Sequence, residues 1–136
     1  MNDPNIGRMV VDEHEMQQRV HDLGKEITAD YVDGPPLLVG ILKGSVFFLC
    51  DLAKRLKTPV SLDFLQVSSY GDGTRSSGNV RLVRDLTTDV AGKDVIIVED
   101  IVDTGLTLTY LQDILRARGP LSLKTACLLS KPSRRQ

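Results

Sequence analysis

Residues 95–107 read Val95-Ile96-Ile97-Val98-Glu99-Asp100-Ile101-Val102-Asp103-Thr104-Gly105-Leu106-Thr107, an apolar run that ends in three carboxylates and a Thr-Gly-Leu-Thr turn. Four consecutive β-branched residues, Val95 to Val98, suit a strand buried on both faces, the pattern of a parallel sheet covered by helices. Glu99, Asp100 and Asp103 would be costly inside that core, because an unpaired carboxylate loses its hydration there, so they belong where the strand emerges. Thr104, Gly105 and Thr107 then bring together two hydroxyls, a flexible glycine and the unpaired N–H groups that open the following helix. That is an anion cradle. Acids beside such a cradle point to a ligand with both hydroxyls and phosphate, and a phosphorylated sugar fits that description.

Outward from this strand, helical and extended patterns alternate. Met16, Val20, Leu23, Ile27 and Tyr31 recur at helical spacing and predict an amphipathic helix over Glu13 to Tyr31, stopped by Asp33-Gly34-Pro35-Pro36. Leu37 to Leu42 predicts a buried strand. Lys43-Gly44-Ser45 follows as a turn, with Ser45 as the cap of a helix carrying Val46, Phe47, Leu49, Leu52, Ala53 and Leu56. Pro59 to Val67 alternates as Val60, Leu62 and Phe64. Val80 to Val83 is a short strand, Val95 to Val98 the central one, Leu108 to Arg118 a helix ending near Gly119-Pro120, and Leu121 to Leu129 a final strand. This order predicts an α/β fold with a parallel sheet, whose ligands bind beyond the carboxyl ends of the strands.

With 136 residues, 41% of them hydrophobic and 26% charged, the chain reads as one domain, residues 1–136, able to bury a core. A net charge of −1 offers no basic field for nucleic acid, and no apolar run nears the roughly 20 residues that span a bilayer. Met1-Asn2-Asp3-Pro4 lacks the charge and apolar stretch of a signal peptide, so a cytoplasmic location is expected. Cys50 and Cys127 lack metal-type spacing and are expected to be reduced core residues. His14 and His21 are expected on the surface of the first helix.

Three further segments carry chemistry. Ser68 to Asn79 is almost wholly polar and rich in glycine, the composition of a lid or a flexible hairpin tip; its glycines make no dinucleotide fingerprint, since a strand follows. Lys43, followed by Gly44, puts a cation and free N–H groups at the sheet edge where the acids emerge, a combination that suits pyrophosphate. Ser130-Lys131-Pro132-Ser133-Arg134-Arg135 leaves the last strand with three cations.

The string over 95–107 resembles the signature of the type I phosphoribosyltransferases, and its Glu-Asp-Ile-Val-Asp-Thr-Gly form is similar to that of the hypoxanthine/guanine phosphoribosyltransferases of purine salvage. The resemblance covers roughly residues 8 to 135. It implies transfer of the 5-phosphoribosyl group from phosphoribosyl pyrophosphate to hypoxanthine or guanine, giving IMP or GMP and pyrophosphate. Glu99 and Asp100 would lie near the ribose hydroxyls and act on Mg2+ indirectly, through those hydroxyls or water. Asp103 would be the catalytic group at the imidazole edge of the purine, and Asp103, Thr104, Gly105, Leu106 and Thr107 would hold the 5′-phosphate. Some relatives carry lysine at the position of Leu106; backbone N–H groups and two threonine hydroxyls do most of the holding, so little loss is expected.

Gly40-Ile41-Leu42-Lys43-Gly44-Ser45 resembles the family's pyrophosphate loop, which implies a cis Leu42–Lys43 peptide and pyrophosphate contacts from Lys43 and Gly44. Lys131 matches the lysine that reads the exocyclic oxygen of the purine, Arg135 an arginine that contacts pyrophosphate, and Ser69-Tyr70 the mobile active-site lid. The resemblance also implies a homodimer or homotetramer. Family members continue for several dozen residues past Gln136 into a hood that stacks on the purine; its absence from this chain is expected to weaken purine binding and turnover. The competing reading is a non-catalytic, nucleotide-sensing regulator of the same fold. Such regulators often replace the position of Asp103 with a non-acid and need a basic surface. A P-loop kinase is the more distant competitor, and no Gly-x-x-x-x-Gly-Lys-Ser/Thr occurs.

Overall fold

Apolar runs at 37–42 and 95–98 fold as two neighbouring parallel strands, and the rest of the chain is arranged to cover their two faces. The computed structural model describes residues 13–56, 59–69, 80–102 and 106–130. In chain order these form α1 (Glu13–Asp30), β1 (Leu37–Leu42), α2 (Val46–Lys54), β2 (Ser61–Ser69), β3 (Val80–Arg84), β4 (Asp94–Val102), α3 (Leu106–Arg116) and β5 (Ser122–Ser130). The sheet order is β3-β2-β1-β4-β5. β1 pairs in parallel with β2 and β4, and β4 with β5. β3 runs antiparallel on β2, so the sheet is parallel, as expected, apart from one edge strand. β1, not the 95–98 strand, occupies the middle of the sheet.

Side chains alternate across the sheet with period two. Leu38 of β1 and Ile96 and Val98 of β4 face α1 and α2, where Val20, Leu23, Ile27, Phe48, Leu49 and Leu52 cover them. Leu37, Val39, Ile41, Val95 and Ile97 face the other side and pack under Leu111 and Leu115 of α3 and Val90 of the β3–β4 connection. Gly40 faces the α2 side at closest approach: a Cβ there would sit 2.7 Å from Leu49 Cδ2 and 3.1 Å from Phe64 Cε1. α3 ends in a turn closed by Gly119 in the left-handed conformation, as the Gly119-Pro120 signal predicts.

Several expectations are corrected. The apolar alternation over 59–67 does not mark one uniformly buried face, for Leu62 of β2 is 42% exposed while Asp63 beside it is buried. α1 and α2 pack chiefly on each other, and against the sheet α2 meets mainly β1 and β4 and α1 meets β5, which leaves part of the β2 face uncovered. Phe47 belongs to α2 but is 83% exposed, because Phe48, Leu49 and Leu52 take the inward face of that helix. Cys50 is exposed on α2 rather than in the core, and Cys127 is half-buried on β5. His14 and His21 lie exposed on α1, as expected.

Candidate active site

The register of the parallel strands decides what meets at the carboxyl edge. Leu37 pairs with Val95 and Gly40 with Val98, so the turn after Leu42 lies level with the end of β4. Glu99 pairs with Cys127 and Val102 with Ser130, so β5 ends on the same edge. Leu42 pairs with Gln66, and Ser69 with Val80, which brings the end of β2 and the start of β3 to that edge as well. Four sequence-distant segments thus converge where parallel α/β sheets bind ligands.

Lys43 and Gly44 follow β1 directly and are exposed, and the Leu42–Lys43 peptide is cis, as expected. Glu99 is half-buried near the end of β4, with Asp100 next along the strand. Leu106 opens α3, an eleven-residue helix, and Thr107 is half-buried in its first turn. The helix start presents N–H groups that no earlier turn of the helix can satisfy. Ser69 is the last residue of β2. Asp103, Thr104, Gly105, Tyr70, Lys131 and Arg135 lie outside the described residues; the strands and helix that flank them end or begin on this edge.

Ser45 does not act as the sequence implies. It occupies the cap position of α2 without a side-chain cap bond. Its Oγ instead accepts from Ile41 N–H at 2.8 Å and donates to the Ile41 carbonyl at 2.7 Å. Asp63 was missed altogether: buried on β2, it accepts from Phe64 N at 2.8 Å, Thr87 N at 3.0 Å and Thr88 N at 2.8 Å. Sequence holds no signal for it, since the partners at 87 and 88 are distant along the chain.

Two cavities of about 410 and 500 Å3 lie away from this edge, the first by Pro36, Ser61 and Lys93 and the second between α1 and the end of α2. A smaller one of about 250 Å3 abuts Gly44, Phe47 and Leu128. Among the described residues no group of three His, Cys, Asp or Glu is placed to hold a metal ion. Glu99, half-buried near the strand end, carries a hard oxygen donor, and Asp100 follows it in the strand. Such a set suits Mg2+, which is usually held by one or two carboxylates together with substrate oxygens and water rather than by an all-protein cage.

A parallel sheet with acids leaving one strand, a helix mouth beside them and a lysine turn on the neighbouring strand defines the phosphoribosyltransferase class, and residues 8–136 match the phosphoribosyl transferase domain family. The hypoxanthine-guanine phosphoribosyltransferase of Bacillus subtilis is 46% identical over 132 residues, which is 97% of this chain and 73% of that protein. The bifunctional protein TilS/HprT of Listeria innocua is 47% identical over 131 residues, 96% of this chain and 20% of its own much greater length. A crystal structure of hypoxanthine phosphoribosyltransferase from Staphylococcus aureus superposes with a TM-score of 0.87 at 44% identity, covering 93% of this chain and 69% of that one. The chain belongs to the hypoxanthine-guanine phosphoribosyltransferase family.

Proposed function

We propose that this chain, as one core domain, binds phosphoribosyl pyrophosphate across the gap between the ends of β1 and β4 and serves transfer of its phosphoribosyl group to hypoxanthine or guanine. The single observation that carries the reading is the strand register: it sets the Lys43-Gly44 turn and Glu99 on the edge from which the chain passes into α3, an arrangement that supports a ligand with a phosphate at one end and a pyrophosphate at the other.

In this reading Glu99 and Asp100 orient the ribose hydroxyls, residues 103–107 hold the 5′-phosphate, and Lys43, Gly44 and Arg135 meet the pyrophosphate. Lys131 reads the purine oxygen, and Ser69 and Tyr70 belong to the lid. The bond from the anomeric carbon to the pyrophosphate oxygen breaks as a purine ring nitrogen bonds to that carbon, and Asp103 takes the proton that the nitrogen loses. Lys43 and Arg135 lower the cost of charge gathering on the leaving group. Glu99 and Asp100 would hold Mg2+ indirectly, through ribose hydroxyls or water, and the ion would add to the neutralisation of the pyrophosphate. Homo-oligomer formation and a cytoplasmic location complete the proposal. An exposed Cys50 thiol suits a reducing compartment, and no helix among the described residues is long and apolar enough to cross a membrane.

Calorimetry tests the reading. Phosphoribosyl pyrophosphate is expected to bind in the presence of magnesium and to lose most of its affinity without it, with ATP binding weakly; equal affinity for both ligands would remove the assignment. In a form that turns over, Asp103→Asn is expected to lower turnover more than phosphoribosyl pyrophosphate affinity. Equal losses would reduce Asp103 to a group that only positions substrate.

A further inference from the structure

We infer that Ser45 is a positioning residue for the pyrophosphate turn, its hydroxyl replacing strand β4 at the point where the sheet opens to form the ligand gap. The inference rests on the assignment of Lys43 and Gly44 to pyrophosphate made above. β1 pairs with β4 from Leu37–Val95 through Gly40–Val98 and no further, although β4 itself runs to Val102. On its other side β1 stays paired with β2 as far as Leu42–Gln66. Ile41 is therefore the first residue of β1 beyond the β4 ladder, and it is 6% exposed. Buried peptide groups left without partners are costly, so the sheet can part there only if something takes the place of the missing strand.

Ser45 does so from four residues away. Its side chain is 1% exposed, and its Oγ bridges both Ile41 groups, at 2.8 Å to the N–H and 2.7 Å to the carbonyl. Ser45 N–H donates to the same carbonyl at 3.3 Å. The Ser45 carbonyl in turn accepts from Leu49 N–H at 2.8 Å, which ties the residue into the first turn of α2. Residues 42–44 are thus held between a strand on one side and a helix on the other, while Lys43 and Gly44 stay exposed. A loop fixed in this way meets an anion with less ordering cost than a free one.

The test uses Ser45→Ala and three ligands with magnesium present: phosphoribosyl pyrophosphate, inorganic pyrophosphate and ribose 5-phosphate. Affinity for the first two is expected to fall about tenfold, the scale of one to two hydrogen bonds, and affinity for ribose 5-phosphate to stay within about twofold. Equal loss for all three ligands, or no loss for any, overturns the inference. Amide hydrogen exchange in the unliganded chain gives a reading independent of ligand identity. The Ile41 amide is expected to exchange faster in Ser45→Ala than in the wild type while that of Val39 does not, and unchanged exchange at Ile41 overturns the inference even if the wild type binds no phosphoribosyl pyrophosphate. That last result would separately sink the functional reading. Should Ser45→Ala fail to fold, Ser45→Cys takes its place, since a thiol of similar size bonds more weakly and is expected to give the same pattern.

Discussion

Asp63 shows how much one buried carboxylate can organise. Its two oxygens accept from the N–H groups of Phe64, Thr87 and Thr88 and from the Thr87 hydroxyl at 3.4 Å, which pins the connection between β3 and β4 against β2. Burial pushes its carboxyl up, but the Thr88 hydroxyl and the N–H groups of Phe64, Thr88 and Thr87 outweigh that and hold it below the ordinary value of 3.8. A carboxylate depressed on folding contributes stability above its unfolded value, and that contribution is lost as pH falls through the folded one. Asp63→Asn is expected to destabilise by about 1–3 kcal/mol at pH 7 in urea unfolding and to lessen the loss of stability below about pH 4. An acid limb identical to that of the wild type would show that Asp63 is not part of it. Gly40 is the second single residue on which packing turns. Gly40→Ala would drive a methyl into Leu49 and Phe64, one on α2 and one on β2, and is expected to cost about 1–3 kcal/mol by the same measurement. A neutral result would mean that α2 can lift off the sheet freely.

Among elements, the link between α3 and the β3–β4 connection is electrostatic as well as apolar. Arg118, just past α3, donates to both oxygens of Asp85 at 2.9 Å. The Arg118 side chain lowers the Asp85 carboxyl below its ordinary value, and Asp85 in turn raises Arg118. Yet the two side chains are 34% and 47% exposed, so solvent screens the pair. Arg118→Ala is expected to cost only about 0.5–1 kcal/mol, less in high salt, and a loss several times larger would mean that the pair holds the connection in place. Elements were legible to different degrees. β1 was read to the residue, because an unbroken apolar run has no other soluble use. β2 was misread at Leu62 and Asp63, because which face of a strand is covered depends on where helices from elsewhere in the chain come to lie. Phe47 was read into α2 and lies there, but its exposure was not legible: α2 has more apolar residues than its inward face can take.

At the scale of the molecule, the strand order predicts a gradient of protection. β1 and β4 are flanked on both sides and buried on both faces, whereas β3 is an antiparallel edge with Arg81, Val83 and Arg84 exposed. Amides of Val39 and Ile97 are expected to exchange slowest and those of β3 to exchange first, and comparable protection across the sheet would argue against an edge position for β3. The stretch 95–107 by itself determined the class of fold and suggested the chemistry proposed for the site, since four β-branched residues followed by carboxylates and a helix start leave few physical alternatives. What only the tertiary structure decided was who meets whom. That Ile41 lies past the last rung shared with Val98, that Ser45 turns back to it, and that Thr87 and Thr88 close over Asp63 all follow from strand pairing between segments far apart in the chain. Local propensity is set by neighbours within a few residues; register and burial are set by the whole core at once, which a linear reading does not contain.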